Sequence, residues 1–279
     1  MKNYKAFNLT SRGSYHIDNS IVCQDASSSG AYHNRTFAVV CDGHGGDDYV
    51  RSHIGSYFAK EAVVKCFSDN SLFTYFENAS CDKEKNEILL QLEKSIVSEW
   101  NDRVREHYSL NPFTSAELSR VDCKVAEMYA KGEFIEQAYG TTLIAAGVTE
   151  KCWFCLHIGD GKCVVFDKNE QFTQPVPWDE RCFLNNTTSL CDFYAVKYFR
   201  HYFSDDVPLA IFLATDGVDN SFADEKALNG FYELIISSFK IMPFQVAVDE
   251  LAGYIPVLSS KGSGDDISIA SVISTKLIQ

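Results

Sequence analysis

Apolar residues change their spacing several times along this chain. Residues 4–9 and 36–41 form short apolar runs of strand length, the second continuous enough for a buried strand. From Asp47 or Asp48, either able to cap a helix, the spacing becomes helical to about Phe67, with Val50, Ile54, Tyr57 or Phe58, and Ala62 on one face. The polar residues 68–85 read as a loop. Leu89, Leu92, Ile96 and Trp100 then line one face of a second helix. A capping box, Thr114 to Glu117, opens a third that runs through Leu118, Val121, Val125 and Met128.

After Gly140 the period shortens. Residues 140–148, 152–158 and 162–167 read as three strands of a meander, followed by an irregular flap over 172–192 containing Pro175 and Pro177. Residues 193–199 and 209–214 are predicted strands, 225–240 and 243–258 helices, and 267–273 a closing strand. Without an internal repeat or a linker of Pro, Ser and Gly, the pattern predicts one domain over residues 1–279. Strand runs mixed with helix pairs, in place of a regular βα alternation, favour an α+β fold of antiparallel sheets covered by helices.

Composition narrows the function. With 46% hydrophobic residues in 279, the chain can bury a full core. A formal charge of −13 argues against nucleic acid as the main partner, because phosphate backbones require basic surfaces. Any phosphate-handling site must then carry its own local positive charge, and a metal ion is one source. No apolar stretch has the length of a secretory signal or a membrane span, so a soluble, cytoplasmic protein is expected. The 10 cysteines show no framework spacing. Cys152 and Cys155 form a C-x-x-C inside an apolar run with no second pair for zinc, and read as core thiols. Asn8, Asn78, Asn185 and Asn186 begin glycosylation-like triplets that carry no meaning without secretion.

The chemistry concentrates where apolar runs meet aspartate beside glycine: VVCDGHGG (Asp42 to Gly46), HIGDGK (Asp160), FLATDGVDN (Asp216, Asp219) and SGDDISIA (Asp265, Asp266). One such pair is ordinarily a turn. Several in one chain can converge on a common sheet rim, where carboxylates raise each other's pKa unless a cation neutralises them. All-oxygen ligation selects hard ions, Mg²⁺ or Mn²⁺. His44, among glycines and next to Asp42, is suited to protonate a departing alkoxide.

In order and spacing, VVCDGHGG, YGTTLIAAGV, HIGDGK, LATDGVDN and GDDISIASVI, preceded by the segment from Gly13 to Ser27, resemble the metal-dependent (PPM, or type 2C) protein phosphatases, in a bacterial-type branch. The resemblance spans about residues 13–273. It implies an αββα sandwich, two stacked antiparallel sheets flanked by helix pairs, with the metals at one edge. It implies two ions per site. Asp42 would bridge them, the Gly43 carbonyl would bind the second, and Asp216 and Asp265 would complete the first. Asp25 would hold metal-bound water, Asp160 would lie nearby, and His44 would be the general acid. A hydroxide activated by both metals would attack the phosphorus of phosphoserine or phosphothreonine in line. The substrate would be a phosphoprotein, a kinase or a kinase substrate.

Three departures from the family pattern stand out. Gln24 occupies the place of a common Glu. The arginine that grips phosphate is missing, with His16 the stand-in and Arg12 and Lys162 as other cations. The acid expected before Gly-Thr-Thr for a third metal is replaced by Gln137, beside Glu136. The main rival reading is a relative with weak or no turnover that binds phosphoproteins as a regulatory module. A metal-dependent phosphodiesterase is less compatible with the motif order.

Overall fold

The protein is represented by a computed structural model that describes residues 3–32, 35–183 and 186–278. Asn185, one of the glycosylation-like positions, and Leu184 of the expected flap lie outside the described residues, as do the extreme ends of the expected domain. The strands are β1 (Tyr4–Ser11), β2 (Ala26–Tyr32), β3 (Arg35–Cys41), β4 (Leu143–Val148), β5 (Trp153–Ile158), β6 (Lys162–Phe166), β7 (Phe172–Thr173), β8 (Arg200–Ser204), β9 (Ala210–Ala214) and β10 (Ile267–Ser274). The helices are α1 (Ser14–Asp18), α2 (Ser52–Ser68), α3 (Asn70–Asn78), α4 (Asp82–Leu110), α5 (Ser115–Leu118), α6 (Cys123–Ala130), α7 (Ala195–Tyr198), α8 (Asp216–Asp219), α9 (Glu225–Ile241) and α10 (Phe244–Lys261).

The strands form two antiparallel five-stranded sheets, in the orders β1-β10-β9-β6-β7 and β2-β3-β4-β5-β8. Because side chains alternate across a pleat, the central strands feed two cores at once. Phe37, Val39 and Cys41 of β3 join Leu143 and Ala145 of β4 and Phe154, Leu156 and Ile158 of β5 against α2, α3 and α4. Their neighbours Ala38, Val40, Ile144, Ala146 and Cys155 face the other sheet, where they meet Cys163, Val165, Ile211, Leu213, Ala270 and Val272. Phe212 of β9 and Ile269 of β10 point the opposite way, onto α9 and α10. This is the expected αββα order. Burial on both faces explains why the apolar runs of β3, β4, β9 and β10 are continuous instead of alternating.

Several expectations are corrected. The stretch read as a loop, residues 68–85, contains α3 and the start of α4. Asp69 caps α3 by accepting from Ser71 N, and Phe73 and Phe76 bury against Phe154 at 5.4 and 5.2 Å between ring centroids. Two aromatic anchors, at about 1.5–3 kcal/mol each, together with the partly buried Leu72, stabilise this short helix. Helix α2 begins at Ser52, and the residues around Asp47 and Asp48 form turns before it. The third helix is broken into α5 and α6, because Asp122 starts a new cap by accepting from Lys124 N. Residues 193–199 hold α7, and the strand itself is β8, a half-exposed edge that pairs with β5.

The expected meander is also divided. β4 and β5 pair, but β6 crosses to the other sheet and pairs with β9 and β7. The turn between β5 and β6 uses Gly159 at φ +113°, a conformation other residues rarely adopt. This crossing sets the turn bearing Asp160 at the boundary between the sheets.

Candidate active site

Asp42 follows the last residue of β3 and is locked by the threonines of the GTT segment. Its N–H donates to Thr142 Oγ1 at 3.2 Å, and its carbonyl accepts from Thr142 N and Thr141 Oγ1, each at 2.8 Å. Asp216 opens α8 at the end of β9, where Asn220 Nδ2 donates to its Oδ2 at 3.0 Å. The two carboxyls lie near enough for each to act on the titration of the other. Residues 174 apart in the sequence thus meet because β3 and β9 lie in the facing sheets and end at one rim.

Asp25 lies beneath this pair, its Oδ2 accepting from Thr215 Oγ1 at 2.8 Å. Burial, and next the charge of Asp266, pushes its pKa well above the usual carboxylate range. Burial and then the charges of Asp25 and Asp216 do the same to Asp42. Asp216 is pushed up to about 6, first by burial and then by Asp160, which is thereby an electrostatic neighbour. Burial also raises Asp265, which precedes β10. Four acids from different parts of the chain therefore share one field, and each makes positive charge more welcome to the others.

The chemistry of this donor set fits a hard divalent cation. Gly43 adds a backbone carbonyl in a place no side chain can occupy, since a Cβ there would stand 2.7 Å from the carbonyl oxygens of Gln24 and Ser52. Gly217 packs as closely, its Cβ position falling 2.0 Å from Asp266 O, so α8 can press against the turn carrying Asp265. Among the described residues no group of three or more His, Cys, Asp or Glu side chains is arranged as a ready cage.

His44 is fixed by its backbone, its N–H donating to Gly140 O at 3.1 Å. Its ring meets the Tyr49 ring edge-on at 4.7 Å, and burial lowers its pKa to about 4. Gln24 does not extend a carboxylate-like oxygen toward an ion. Its Nε2 donates to His44 O at 3.0 Å and to Ser52 Oγ at 2.7 Å, binding the Asp42–Gly46 loop to the start of α2. A carboxylate at this position could not make these donations.

The expected cations each have a partner within the protein, and His16 keeps its place in the cleft lining. His16, 8% exposed, has Nδ1 at 2.9 Å from Asp266 Oδ1 and Nε2 at 3.7 Å from Asp265 Oδ1. Arg12 donates from Nη2 to His16 O at 2.8 Å, and Lys162 pairs with Asp219 at 2.7 Å. Glu136 pairs with Arg105 at 2.9 Å.

Asp266 has a part the sequence reading did not give it. Buried at 3% exposure, it accepts from Gly13 N through Oδ1 and from Gln24 N through Oδ2, both at 2.6 Å, while holding His16. It ties the segment after β1, the segment before β2 and the C-terminal motif together. The doubled acid in SGDDIS is the only signal for it, and a pair of aspartates does not reveal which one turns inward.

An open cleft of about 800 Å³ is lined, among others, by His16, Gln24, Asp42, Gly43, Tyr49, His53, Arg120, Asp265 and Asp266. The 172–192 segment reaches the site through its second half: Leu190 N and Ser189 Oγ both donate to Thr141 O. Its first half is clamped by Arg200, which donates to Pro177 O and to Gly159 O, each at 2.6 Å.

Among solved structures, the serine/threonine phosphatase Stp1 from Staphylococcus aureus is similar at 17% identity and a TM-score of 0.61, with 98% of this chain and 95% of that one covered. PppA, a regulatory component of T6SS in Pseudomonas aeruginosa, is similar at 15% identity and 0.59, with 97% of each chain covered. The catalytic domain of the serine threonine protein phosphatase PstP, in complex with two manganese ions, is similar at 16% identity and 0.55, again over 97% of each. At these identities the likeness is one of fold. A comparison with curated protein sequences finds no match. The family model described as Protein phosphatase 2C matches residues 12–252, from Arg12 through the Asp42, Asp160 and Asp216 motifs. With most of its length matched and its acids gathered at the rim of two stacked sheets, this chain belongs to the protein phosphatase 2C family of serine/threonine phosphatases.

Proposed function

We propose that this protein hydrolyses phosphoserine or phosphothreonine in protein substrates, working with two divalent cations, Mg²⁺ or Mn²⁺. The observation that carries the reading is the convergence of Asp42 and Asp265, which line the cleft, with Asp216 and Asp25 in the same field. Asp42, Asp216, Asp265 and the Gly43 carbonyl are the groups that would hold the cations. When bound, such cations offset charge on the phosphoryl oxygens and acidify water for in-line attack. Asp25, held by Thr215, is placed to accept a hydrogen bond from water. The Asp42–Gly46 loop keeps its shape through Gln24 and Thr142, so the acids need not reorganise as substrate arrives.

His44 supplies the proton to the leaving serine or threonine oxygen. Its low pKa in the free protein means that the imidazole is neutral near pH 7 and must gain a proton before it can give one. A dianionic phosphate in the cleft favours that gain. The same low value is the observation that favours the second reading, a phosphoprotein-binding relative with weak turnover. No helix among the described residues is long and apolar enough to cross a membrane, and the reading is of a cytoplasmic enzyme acting on a kinase or a kinase substrate.

Phosphate release from phosphoserine peptides and p-nitrophenyl phosphate, with Mn²⁺ or Mg²⁺ and with chelator, tests the proposal. Cation-dependent release that Asp42→Ala abolishes supports it. Release that survives chelation or this substitution removes it, and binding of phosphopeptide without release under either metal transfers support to the binding module.

A further inference from the structure

The α5–α6 segment, which has no part in the catalytic reading, reaches the cleft lining through Arg120. It is bolted in place by Arg51, which immediately precedes α2 and is 4% exposed. Arg51 pairs with both oxygens of Glu117, Nε to Oε1 at 2.6 Å and Nη2 to Oε2 at 3.0 Å. It also donates to the carbonyls of Asn111 and Pro112 and to Tyr139 Oη, and its guanidinium lies 4.4 Å from the Phe113 ring centroid. Glu117 in turn accepts from Thr114 N and Oγ1. A buried cation fixed by so many partners ties the α5–α6 segment firmly to the Asp42–Arg51 segment.

Three residues after Glu117, and joined to its carbonyl by a backbone hydrogen bond of 3.1 Å, comes Arg120. Arg120 is the Lys or Arg that lines the cleft among the described residues. The other cations near the site already serve protein partners: Arg12 the His16 carbonyl, Lys162 Asp219, and Arg51 Glu117. Among the described residues the Arg120 side chain has no ion pair or hydrogen bond of this kind, and it is exposed to solvent. The rest of the lining is rich in acid, with Asp42, Asp47, Asp265 and Asp266. The protein has an excess of 13 negative charges, so an arginine presented without a partner on this wall marks the place where an anionic side chain is tolerated.

Arg120 belongs to the chain after α5, whereas Asp42 and Asp216 sit at the ends of β3 and β9. Arg120 is close enough to His53, another residue of the lining, for its charge to act on that imidazole. We propose that Arg120 forms a substrate subsite on the cleft wall that pairs with a carboxylate side chain flanking the phosphorylated residue, giving the enzyme a preference for acidic phosphopeptides. This rests on the phosphatase reading of the cleft and deepens it by naming the substrate class.

The test uses fluorescent peptides carrying a non-hydrolysable phosphonate analogue of phosphoserine, flanked on both sides by Glu or, in the control, by Gln. Their binding to the full chain with Mn²⁺ is measured by anisotropy at low and high salt. Wild type is expected to bind the Glu peptide about fivefold more tightly than the Gln peptide at low salt, the upper end for an exposed pair. The ratio falls to about 1 in Arg120→Ala, is partly kept in Arg120→Lys, reverses in Arg120→Glu, and shrinks in high salt. Each ratio is internal to one variant, so a general loss of folded protein does not imitate the effect. Equal binding of both peptides by wild type, failure to bind either, or a ratio undiminished in Arg120→Ala overturns the proposal. Phosphate release from the matching phosphopeptides reports on the parent reading separately: selective binding without release upholds the subsite and removes the phosphatase.

Discussion

The side-chain amide of Gln24 donates to the backbone carbonyl of His44 at 3.0 Å, and the same nitrogen reaches Ser52 Oγ at 2.7 Å. Gln24 is therefore a brace between the Asp42–Gly46 loop and the start of α2. Gln24→Glu replaces a donor with an acceptor and sets a carboxylate against the His44 carbonyl. It is expected to lower stability by about 1–3 kcal/mol, the cost of leaving a partly buried acceptor unpaired. Thermal unfolding of the two proteins checks this, and an unchanged Tm would show that the brace carries no load.

Asp42 and Asp216 are expected to weaken the cation-free protein, since burial and then neighbouring carboxylates, Asp25 and Asp216 for Asp42 and Asp160 for Asp216, raise both. Asp42→Asn should raise Tm without added metal while erasing the increase that Mn²⁺ gives to wild type. At a hundredfold excess over Kd that increase corresponds to about 2.7 kcal/mol. A variant that responds to Mn²⁺ as wild type does would take Asp42 out of the cation site.

His44→Ala separates two leaving groups. A serine alkoxide needs a proton as it departs, whereas p-nitrophenolate needs little help. The substitution should cost at least about 100-fold in kcat on phosphoserine peptides and much less on p-nitrophenyl phosphate. Equal losses on both substrates would argue that His44 shapes the loop and does not deliver a proton.

The Arg51–Glu117 pair gives a pH signature away from the cleft. Despite an opposing contribution from burial, the hydrogen bond from Arg51 leads the interactions that hold the Glu117 carboxyl at about 2, below its ordinary 4.5. The folded state thus binds this proton more weakly than the unfolded chain. Its stabilisation is complete above about pH 4.5 and disappears as pH falls toward 2. Denaturant unfolding should show Glu117→Gln clearly less stable than wild type at pH 7, with the difference narrowing below pH 4.5. A gap that stays constant from pH 7 to pH 3 would rule out this linkage.

Much of the fold was legible because buried strands and amphipathic helices impose periods on the chain. The doubly buried runs of β3, β4, β9 and β10, and the face of α4 carrying Leu89, Leu92, Ile96 and Trp100, are marked in this way. Elements held by tertiary contacts were not. The β2 sequence ASSSGAY has no apolar pattern and is a strand because β3 supplies a full register of partners. Helix α3 depends on Phe73 and Phe76 finding Phe154. β6 follows β5 in the sequence yet belongs to the other sheet, a choice set by backbone approach at the Gly159–Gly161 turn and by the β9 edge.

The sequence by itself determined the inventory of the site: aspartates beside glycines at the ends of buried runs, with a histidine among them and too few cations nearby. Those features follow from local rules, since glycine permits close backbone approach and a carboxylate in an apolar context demands a partner. Tertiary structure alone decided the division of labour. Whether an acid faces the cleft or braces its wall depends on partners hundreds of positions away, as Asp266 does on Gly13 and Gln24. It likewise turned His16 toward aspartates and presented Arg120 without one, because hydrogen-bond geometry is fixed only when the two sheets and the α5–α6 segment come together.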